Sequence, residues 1–166
     1  MKNKILVTGG AGYIGSHTTN ALIESGFEVV IVDDLSTGFE QLIHPKAKFY
    51  RASVLDTAAI KNLMLNENIA GVIHFAAKII VPESIERPLE YYLNNTMGVL
   101  SMLEACKASN VKNFVFSSTA AVYGNASMEL IKETTPVAPI NPYGHSKLFS
   151  EQIIRDSNIE FGLESK

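Results

Sequence analysis

A glycine-rich stretch near the start of the chain, from Thr8 to Gly15, constrains the fold more than any other feature of the sequence. It follows a short apolar run, Ile5 to Val7, and it opens a segment in which apolar residues recur at helical spacing. A strand, a glycine turn and a helix in this order form the start of a dinucleotide-binding βαβ unit. The stretch therefore predicts an α/β fold that binds a dinucleotide beyond the end of its first strand.

The glycines of this stretch have distinct predicted tasks. Gly9 or Gly10 lets the chain leave the strand in a tight turn, because glycine adopts a positive φ without a Cβ clash. Gly12 lets the backbone approach a pyrophosphate, and Gly15 lets the helix lie close to the sheet. The phosphates would then lie at the helix N-terminus, where free N–H groups and the positive end of the helix dipole face them.

Asp33 is the second predicted element of a dinucleotide site. It ends the next apolar run, Val29 to Val32, where a carboxylate accepts hydrogen bonds from the adenosine ribose hydroxyls. The same carboxylate would repel a 2′-phosphate, and no arginine follows nearby to neutralise one. The sequence therefore predicts NAD as the cofactor in preference to NADP.

The composition favours one globular domain. The chain has 166 residues, of which 46% are hydrophobic and 19% charged, and its net charge of −3 provides no basic surface for nucleic acid. The early apolar run is too short for a signal peptide and no stretch is long enough to cross a membrane, so we expect a cytoplasmic protein. The single cysteine, Cys106, excludes an internal disulfide. No metal site is predicted, because the four histidines lack metal-ligand spacing: His17, His44, His74 and His145.

Apolar, β-rich runs alternate with helical patterns along the chain. Strands are predicted at 4–8, 28–33, 47–51, 71–75 and 112–117, and helices at 13–25, 57–67, 88–109 and 143–156. This alternation is typical of a doubly wound, Rossmann-like parallel sheet, here with the order 3-2-1-4-5. The sequence ends near the point where a sixth strand would begin, so we expect the fold to be truncated there and strand 5 to be an edge with unpaired backbone groups.

Small and polar residues follow each predicted strand, at the sheet edge where such folds bind ligands. They form four groups: Asp33–Ser36, Ala52–Val54, Phe75–Lys78 and Ser117–Thr119. Ala76 and Ala77 would let a flat cofactor pass over the end of strand 4, although two alanines also simply favour a helix.

Tyr143 and Lys147 are the predicted catalytic pair. Their i, i+4 spacing places them on one face of a helix, and Asn141 and Pro142 just before them suit a helix start. The lysine ammonium favours the phenolate form of tyrosine, which can accept a proton. Thr119 could donate a hydrogen bond to the same substrate oxygen, so the trio can move a proton while a nicotinamide accepts a hydride.

The chain resembles the extended short-chain dehydrogenase/reductase family along nearly its whole length, from Lys4 to about Ile154. The more specific segments are 32–38, 72–77, 82–84, 88–92, 94–96, 116–124 and 142–147. The resemblance implies the NAD-dependent interconversion of UDP-glucose and UDP-galactose. In that reaction Tyr143 removes the proton of the sugar 4-hydroxyl, Lys147 tunes Tyr143 and binds the nicotinamide ribose, and Thr119 assists at the 4-oxygen. The 4-keto sugar then turns over in the site before the hydride returns.

The resemblance also implies a set of cofactor-binding residues. Tyr13 and Ile14 would contact the pyrophosphate and Asn94 would lie near the nicotinamide, whereas Ser53 replaces an aspartate that binds adenine in many members, which predicts weaker NAD binding. The full implied set is Gly9, Gly12, Tyr13, Ile14, Gly15, Asp33, Asp34, Leu35, Ser36, Thr37, Gly38, Ser53, Val54, Phe75, Ala76, Ala77, Lys78, Asn94, Thr119, Tyr143 and Lys147.

The resemblance further implies how the chain is organised. Residues 1–166 would form the NAD-binding domain, and the domain that holds the UDP-sugar would be absent. The helices 88–109 and 143–156 would pair with those of a second copy to form a homodimer. We therefore expect residues 1–166 to bind NAD but to catalyse little or no epimerisation alone.

Two other functions are compatible with the same motifs. One is another NAD-dependent nucleotide-sugar epimerase or a 4,6-dehydratase, but dehydratases carry Asp-Glu after the threonine whereas Ala120 and Ala121 follow Thr119 here. Methyl groups cannot move protons, which argues against dehydration. The other is a non-catalytic dinucleotide-binding module, which the shortened chain favours and the retained catalytic trio opposes.

Overall fold

The computed structural model describes residues 4–125 and 130–166. The strands are β1 (Lys4–Thr8), β2 (Glu28–Asp33), β3 (Lys48–Arg51), β4 (Gly71–His74), β5 (Asn113–Phe116) and β6 (Glu164–Ser165). The α-helices are α1 (Tyr13–Glu24), α2 (Thr57–Glu67), α3 (Val81–Glu86), α4 (Pro88–Tyr91), α5 (Gly98–Ser109) and α6 (Pro142–Phe161). A π-helical segment, Tyr92–Met97, joins α4 to α5, and short 3₁₀ turns lie at Glu40–Leu42 and Ala120–Tyr123.

The strands form one parallel sheet in the order β3-β2-β1-β4-β5-β6. The predicted doubly wound sheet and the order of its first five strands are confirmed. The prediction that strand 5 is an unpaired edge is wrong, because β6 pairs with it in parallel, Asn113 opposite Glu164. Gly162 ends α6 with φ +68°, and the buried Leu163 then anchors the chain beside β5.

The core lies on both faces of the sheet. The larger hydrophobic cluster packs α2, α5 and α6 against one face, whereas a smaller cluster around Val7, Val29 and Ile31 is on the other face. Residues 29–32 of β2 alternate between these faces and are all buried, as the unbroken apolar run predicts.

The helices differ from the sequence-based boundaries where tertiary contacts intervene. The predicted helix 88–109 consists of α4, the π-helical segment around the buried Asn95, and α5, which follow one another without a break. A short helix, α3, precedes it, and α6 continues to Phe161 rather than ending near residue 156. The start of α6 is as predicted, because the Asn141 side chain accepts a hydrogen bond from Gly144 N at 2.8 Å.

Residues 4–125 and 130–166 contain neither a candidate membrane span nor a candidate metal cluster. None of the helices there combines the length and apolar character needed to cross a membrane. Likewise, those residues contain no group of three or more His, Cys, Asp or Glu side chains placed to hold a metal ion. Cys106 is a free, buried thiol in the core, and burial raises its pKa to about 12.

Candidate functional site

The glycine loop between β1 and α1 is closely packed against its neighbours. Gly9 has φ +69°, and a Cβ at this position would lie 2.7 Å from the backbone nitrogen of Ala76, so the loop touches the chain that leaves β4. A Cβ at Gly15 would lie 2.2 Å from the Gly9 carbonyl oxygen. The absence of a side chain at Gly15 therefore leaves room for the backbone of the glycine loop, in addition to letting the helix lie near the sheet.

The N-terminus of α1 faces outward from this loop. Gly12 is the N-cap residue and has no side chain with which to cap the first N–H groups of the helix. A Cβ on Gly12 would approach only the Gly9 carbonyl oxygen, at 3.2 Å, and the side chains of Tyr13 and Ile14 are exposed. This arrangement offers backbone donors and the positive end of a helix dipole to an anion.

The Asp33 carboxylate connects the glycine loop to the loop after β2. Its Oδ2 accepts a hydrogen bond from Ala11 N at 3.0 Å, and its Oδ1 accepts one from Leu35 N at 2.9 Å. Each oxygen retains a lone pair for another donor. The first residues of the predicted cofactor site, Gly9 to Gly15 and Asp33, thus form one connected unit.

The rest of the loop after β2 wraps around the same glycines. Asp34 Oδ1 accepts from Ser36 N at 2.8 Å, and Phe39 N donates to Ala11 O at 2.9 Å. Between them, Thr37 precedes Gly38, where a Cβ would lie 2.9 Å from Asp33 Oδ1. Leu35 adopts φ +60°, which lets the loop reverse direction here.

The loop after β3 contributes smaller features. Ser53 Oγ accepts a hydrogen bond from Leu55 N at 3.2 Å, so its hydroxyl is used in a local turn before α2. Val54 is buried, and a Cβ added at Gly98 of α5 would lie 3.1 Å from its methyl group. This loop therefore lies beside the start of α5.

The loop after β4 is anchored through its backbone. Phe75 N donates to Thr8 O at 3.0 Å, and the half-buried Ala76 and Ala77 follow. Lys78 N donates to Asn95 Oδ1 at 2.8 Å, and Lys78 O accepts from Asn95 Nδ2 at 2.9 Å. The Lys78 ammonium pairs with Glu90 at 3.2 Å and lies 3.9 Å from Glu83, so two carboxylates engage it.

Asn95 is the residue of this region that sequence reasoning missed. Besides Lys78, its Nδ2 reaches Ser146 Oγ on α6 at 3.1 Å, and the predicted cofactor residue Asn94 donates to Asn95 Oδ1 at 3.0 Å. Asn95 is only 2% exposed. A buried asparagine inside a helical pattern was the available signal, because such an amide requires partners.

The predicted catalytic trio lies at the adjoining ends of β5 and α6. Thr119 is half-buried and begins the 3₁₀ turn, with its Oγ1 accepting from Ala121 N at 3.2 Å. Tyr143 is nearly buried, and its ring packs edge-to-face on Tyr91 with centroids 6.4 Å apart. Its backbone oxygen accepts from Ser146 Oγ at 2.7 Å, whereas its hydroxyl makes no hydrogen bond within residues 4–125 and 130–166.

Lys147 is a buried cation one turn after Tyr143. It is 3% exposed, its Nζ donates to Ser117 O at 2.8 Å, and Nζ lies 4.5 Å from the centroid of the Phe116 ring. Burial lowers its pKa to about 8, a fall that the nearby Glu151 partly offsets. One of its three N–H donors is used by Ser117, so the ammonium can donate to further acceptors.

A cavity of about 310 Å³ lies beside this region, between the β5–β6 edge and α6. It shares Phe116 and Ser118 with the end of β5, and none of its lining residues belongs to the glycine loop. The predicted dinucleotide surface is therefore the line of loops along the strand ends, rather than this cavity.

The comparison with protein families matches residues 6–165 to the family described as GDP-mannose 4,6 dehydratase. Among curated proteins, the UDP-glucose 4-epimerase of Streptococcus mutans is 49% identical over 96% of this chain and 49% of its own length. That of Lacticaseibacillus casei is 46% identical over 96% of this chain and 48% of its own length. The chain thus spans about half the length of the curated relatives it matches.

Solved structures also match this chain over nearly its whole length and over about half of their own length. UDP-glucose 4-epimerase from Brucella ovis in complex with NAD superposes with a TM-score of 0.95 and 41% identity, over 98% of this chain and 50% of that one. The UDP-Glc/GlcNAc 4-epimerase from Campylobacter jejuni gives a TM-score of 0.94 with 41% identity, over 98% and 51%.

Proposed function

The chain belongs to the family described as GDP-mannose 4,6 dehydratase, and from that premise we propose that it is the NAD-binding half of a UDP-glucose 4-epimerase. The observation that carries the proposal is one connected surface along the strand ends. There, the uncapped helix start at Gly12, the Asp33 carboxylate and the buried Lys147 ammonium belong to adjoining loops and helices. The relatives whose structures were solved with NAD support this cofactor.

The residues present fit NAD chemically. The backbone N–H groups of Tyr13 and Ile14 would hold the pyrophosphate, and the lone pairs left on Asp33 would accept from the ribose hydroxyls. Lys147 would use its remaining N–H donors on the nicotinamide ribose, while the small side chains of Ala76 and Ala77 leave room above β4. Bound NAD would supply a reversible hydride acceptor.

Tyr143 would be the proton-transfer residue in this proposal. Its hydroxyl makes no hydrogen bond to the other described residues, so it is available to accept the proton of a sugar hydroxyl. The Thr119 hydroxyl can still donate a proton while its oxygen accepts from Ala121 N. Thr119 would thus hold the same sugar oxygen from the β5 side.

The substrate in this proposal is a UDP-sugar, interconverted between its glucose and galactose forms through a 4-keto sugar. Relatives were solved with UDP-glucose or with UDP. Residues 1–166 would act as the cofactor domain, and the groups that hold uracil, phosphates and sugar would come from sequence equivalent to the second half of the relatives.

Dehydration is the nearest competing reaction, since the matched family is described by a dehydratase. The residues after Thr119, Ala120 and Ala121, form the 3₁₀ turn beside α6, with the Ala121 carbonyl oxygen 2.7 Å from a Cβ added at Gly144. Their methyl groups provide no acid or base for the loss of water. Epimerisation needs no acid or base at positions 120 and 121, so these two alanines favour epimerisation over dehydration.

We further propose that the protein forms a homodimer through one face of α4, the π-helical segment and α6. Leu89, Leu93, Met97 and Phe149 are large apolar side chains that are all exposed on these helices. Tyr92 of the π-helical segment stacks on Phe149 of α6 with ring centroids 6.0 Å apart, which brings the two parts of the patch into contact. Apolar patches of this kind mark association sites. Sedimentation of a clean monomer at high concentration would contradict the dimer.

A chimaera tests the proposed reaction. Residues 1–166 joined to the second half of the Streptococcus mutans relative should convert UDP-galactose to UDP-glucose in a coupled assay. Tyr143→Phe in the same chimaera should lower turnover about 10²–10⁴-fold, because it removes acid–base catalysis. Residues 1–166 alone should bind NAD yet show little turnover, since positioning of the sugar supplies up to ~7–11 kcal/mol of barrier lowering.

A folded, NAD-binding chimaera that leaves UDP-galactose unchanged would contradict the epimerase assignment and favour a dinucleotide-binding module. If the Tyr143→Phe chimaera turned over UDP-galactose as fast as the chimaera with Tyr143, only the proton-transfer role of Tyr143 would be contradicted.

A further inference from the structure

His74, the last residue of β4, is a buried titratable side chain that the proposed chemistry does not use. It is 1% exposed, and its Nδ1 lies 2.8 Å from Thr8 Oγ1 on the neighbouring strand. Across the sheet, Thr8 is opposite His74 and His74 is opposite Phe116. The three side chains therefore form one row directly beneath the loops of the candidate site.

The Thr8 hydroxyl joins this row to the loop above it. Ala76 N donates to Thr8 Oγ1 at 3.4 Å, so the hydroxyl oxygen acts as an acceptor toward the loop. Its proton can then be donated to His74 Nδ1, an arrangement in which the imidazole proton lies on Nε2. In that tautomer the acceptor nitrogen of His74 fixes the direction of the Thr8 hydroxyl.

The loop held in this way touches the glycine turn. A Cβ on Gly9 would lie 2.7 Å from Ala76 N, the same nitrogen that donates to Thr8. The separation of the glycine turn and the loop after β4 therefore depends on where Ala76 N is held. Both loops belong to the surface proposed to bind NAD.

The other side of His74 faces the catalytic lysine. Its ring stacks on Phe116 with centroids 6.0 Å apart, and Lys147 Nζ lies 4.5 Å from the Phe116 centroid. Burial and the Lys147 charge lower the pKa of His74 to about 3, so the imidazole stays neutral. Lys147, from α6, is the charged group whose field acts on His74, and Glu151 acts in turn on Lys147.

We propose that His74 is a positioning residue of the cofactor site, which acts as a neutral acceptor for the Thr8 hydroxyl and so holds Ala76 against the glycine turn. An apolar ring at this position would fill the space but leave the Thr8 hydroxyl unoriented. A charged ring would donate rather than accept, and would add a second positive charge beside Lys147. This inference rests on the proposed binding of NAD, whereas the protonation state of His74 can be measured without it.

The first test is ¹⁵N NMR of histidine-labelled protein without NAD. His74 should show an unprotonated Nδ1 and a protonated Nε2 from pH 5 to pH 8, and Thr8→Val should shift the Nδ1 resonance. A ring that titrates in this range, or that carries its proton on Nδ1, would overturn the proposal whether or not the protein binds NAD.

The second test is calorimetric titration of NAD into a double-mutant cycle. His74→Phe keeps a ring but removes the acceptor, and Thr8→Val removes the hydroxyl at nearly constant volume. Each should weaken NAD binding by about tenfold or more, and the double variant should be no weaker than Thr8→Val alone, because Thr8→Val already removes both the bond to His74 and the acceptor of Ala76 N. Losses that add up in the double variant, or wild-type affinity in either single variant, would overturn the proposal.

A third variant separates the acceptor from the ring. His74→Asn retains an acceptor near the Nδ1 position but loses the stacked ring, so it should recover most of the NAD affinity that His74→Phe loses. Recovery would support the acceptor role even where the cavity lowers the unfolding midpoint. The reverse order of affinities would show that only packing matters. Absence of NAD binding by the wild-type protein would contradict the proposed function, and the NMR result would still decide the state of His74.

Discussion

Lys147 bears a charge that the fold removes almost completely from water. Its only protein acceptor in the described part of the chain is the Ser117 carbonyl oxygen, and burial holds its pKa near 8, below the ordinary 10.5. Because the folded pKa is the lower one, the unfolded chain binds the extra proton between these two values. The buried charge therefore costs stability below pH 8, and this cost disappears as the pH rises toward 10.5.

Lys147→Met should accordingly stabilise the protein at pH 7. Removing the buried charge should raise the unfolding free energy by on the order of 3 kcal/mol. Loss of the hydrogen bond to Ser117 should reduce this gain by about 1 kcal/mol. The difference from wild type in urea unfolding should shrink between pH 8 and pH 10.5. The exposed Lys61→Met is the matched control and should show neither effect. A Lys147→Met protein that is less stable than wild type at pH 7 would contradict the buried-charge account.

Two glycines of the same loop should respond differently to a methyl group. Gly15→Ala places a Cβ 2.2 Å from the Gly9 carbonyl oxygen, so backbone must move and the unfolding free energy should fall by about 3 kcal/mol or more. Gly12→Ala meets only one oxygen at 3.2 Å and should cost less than about 1 kcal/mol. Its methyl group points into the proposed pyrophosphate space, so NAD affinity should nevertheless fall. Thermal melts compare the stabilities of the two variants, and titration with NAD measures the affinity of Gly12→Ala. Equal melting temperatures for the two variants would contradict the close packing of Gly15 on the Gly9 carbonyl.

At the scale of elements, a charged cluster ties the amino ends of β1 and β3 to the end of α2. The Glu67 carboxylate, with its side chain 8% exposed, accepts from Lys4 at 3.0 Å and also from Lys48 and Tyr50. The bonds to Lys48, Tyr50 and Lys4 lower the Glu67 pKa from 4.5 to about 2. The stabilisation is thus present above the ordinary carboxyl pKa and is lost as the pH falls toward 2.

Glu67→Gln should reduce the unfolding free energy by about 2 kcal/mol at pH 7, because it replaces charge-assisted hydrogen bonds by neutral ones. Near pH 2 the variant and wild type should converge. The exposed Glu104→Gln provides the control, with little change at either pH. Urea unfolding between pH 7 and pH 2 measures this difference in unfolding free energy. If Glu67→Gln remained less stable than wild type by the same amount down to pH 2, the ionised Glu67 would not be the source of the stabilisation.

The elements predicted from sequence are those whose signal is local. The turn from β1 into α1 follows from the φ preferences of glycine. The acidic end of β2 follows from the apolar run before it, and the start of α6 follows from the Asn-Pro pair. The π-helical segment was not predictable in this way. Asn95 bonds to Lys78, which lies 17 residues before it, and to Ser146, which lies 51 residues after it. The pairing of β6 with β5 and of Lys78 with Glu90 likewise depends on tertiary neighbours.

At the scale of the whole molecule, the chain combines the proposed strand-end surface for a dinucleotide with about half the length of its curated relatives. The glycine loop, Asp33, the loop after β4 and the start of α6 are held by contacts within this half. NAD binding should therefore be a property of residues 1–166, whereas epimerisation should require the groups that fix the sugar.

The most direct test of this account is calorimetric titration of NAD and NADP into residues 1–166. NAD should bind with one site per chain and at least about tenfold more tightly than NADP, because Asp33 would repel a 2′-phosphate. Asp33→Asn should narrow that ratio by weakening NAD more than NADP. No heat of NAD binding to a folded protein, or NADP binding as tight as NAD, would contradict the central claim that these strand ends form an NAD site.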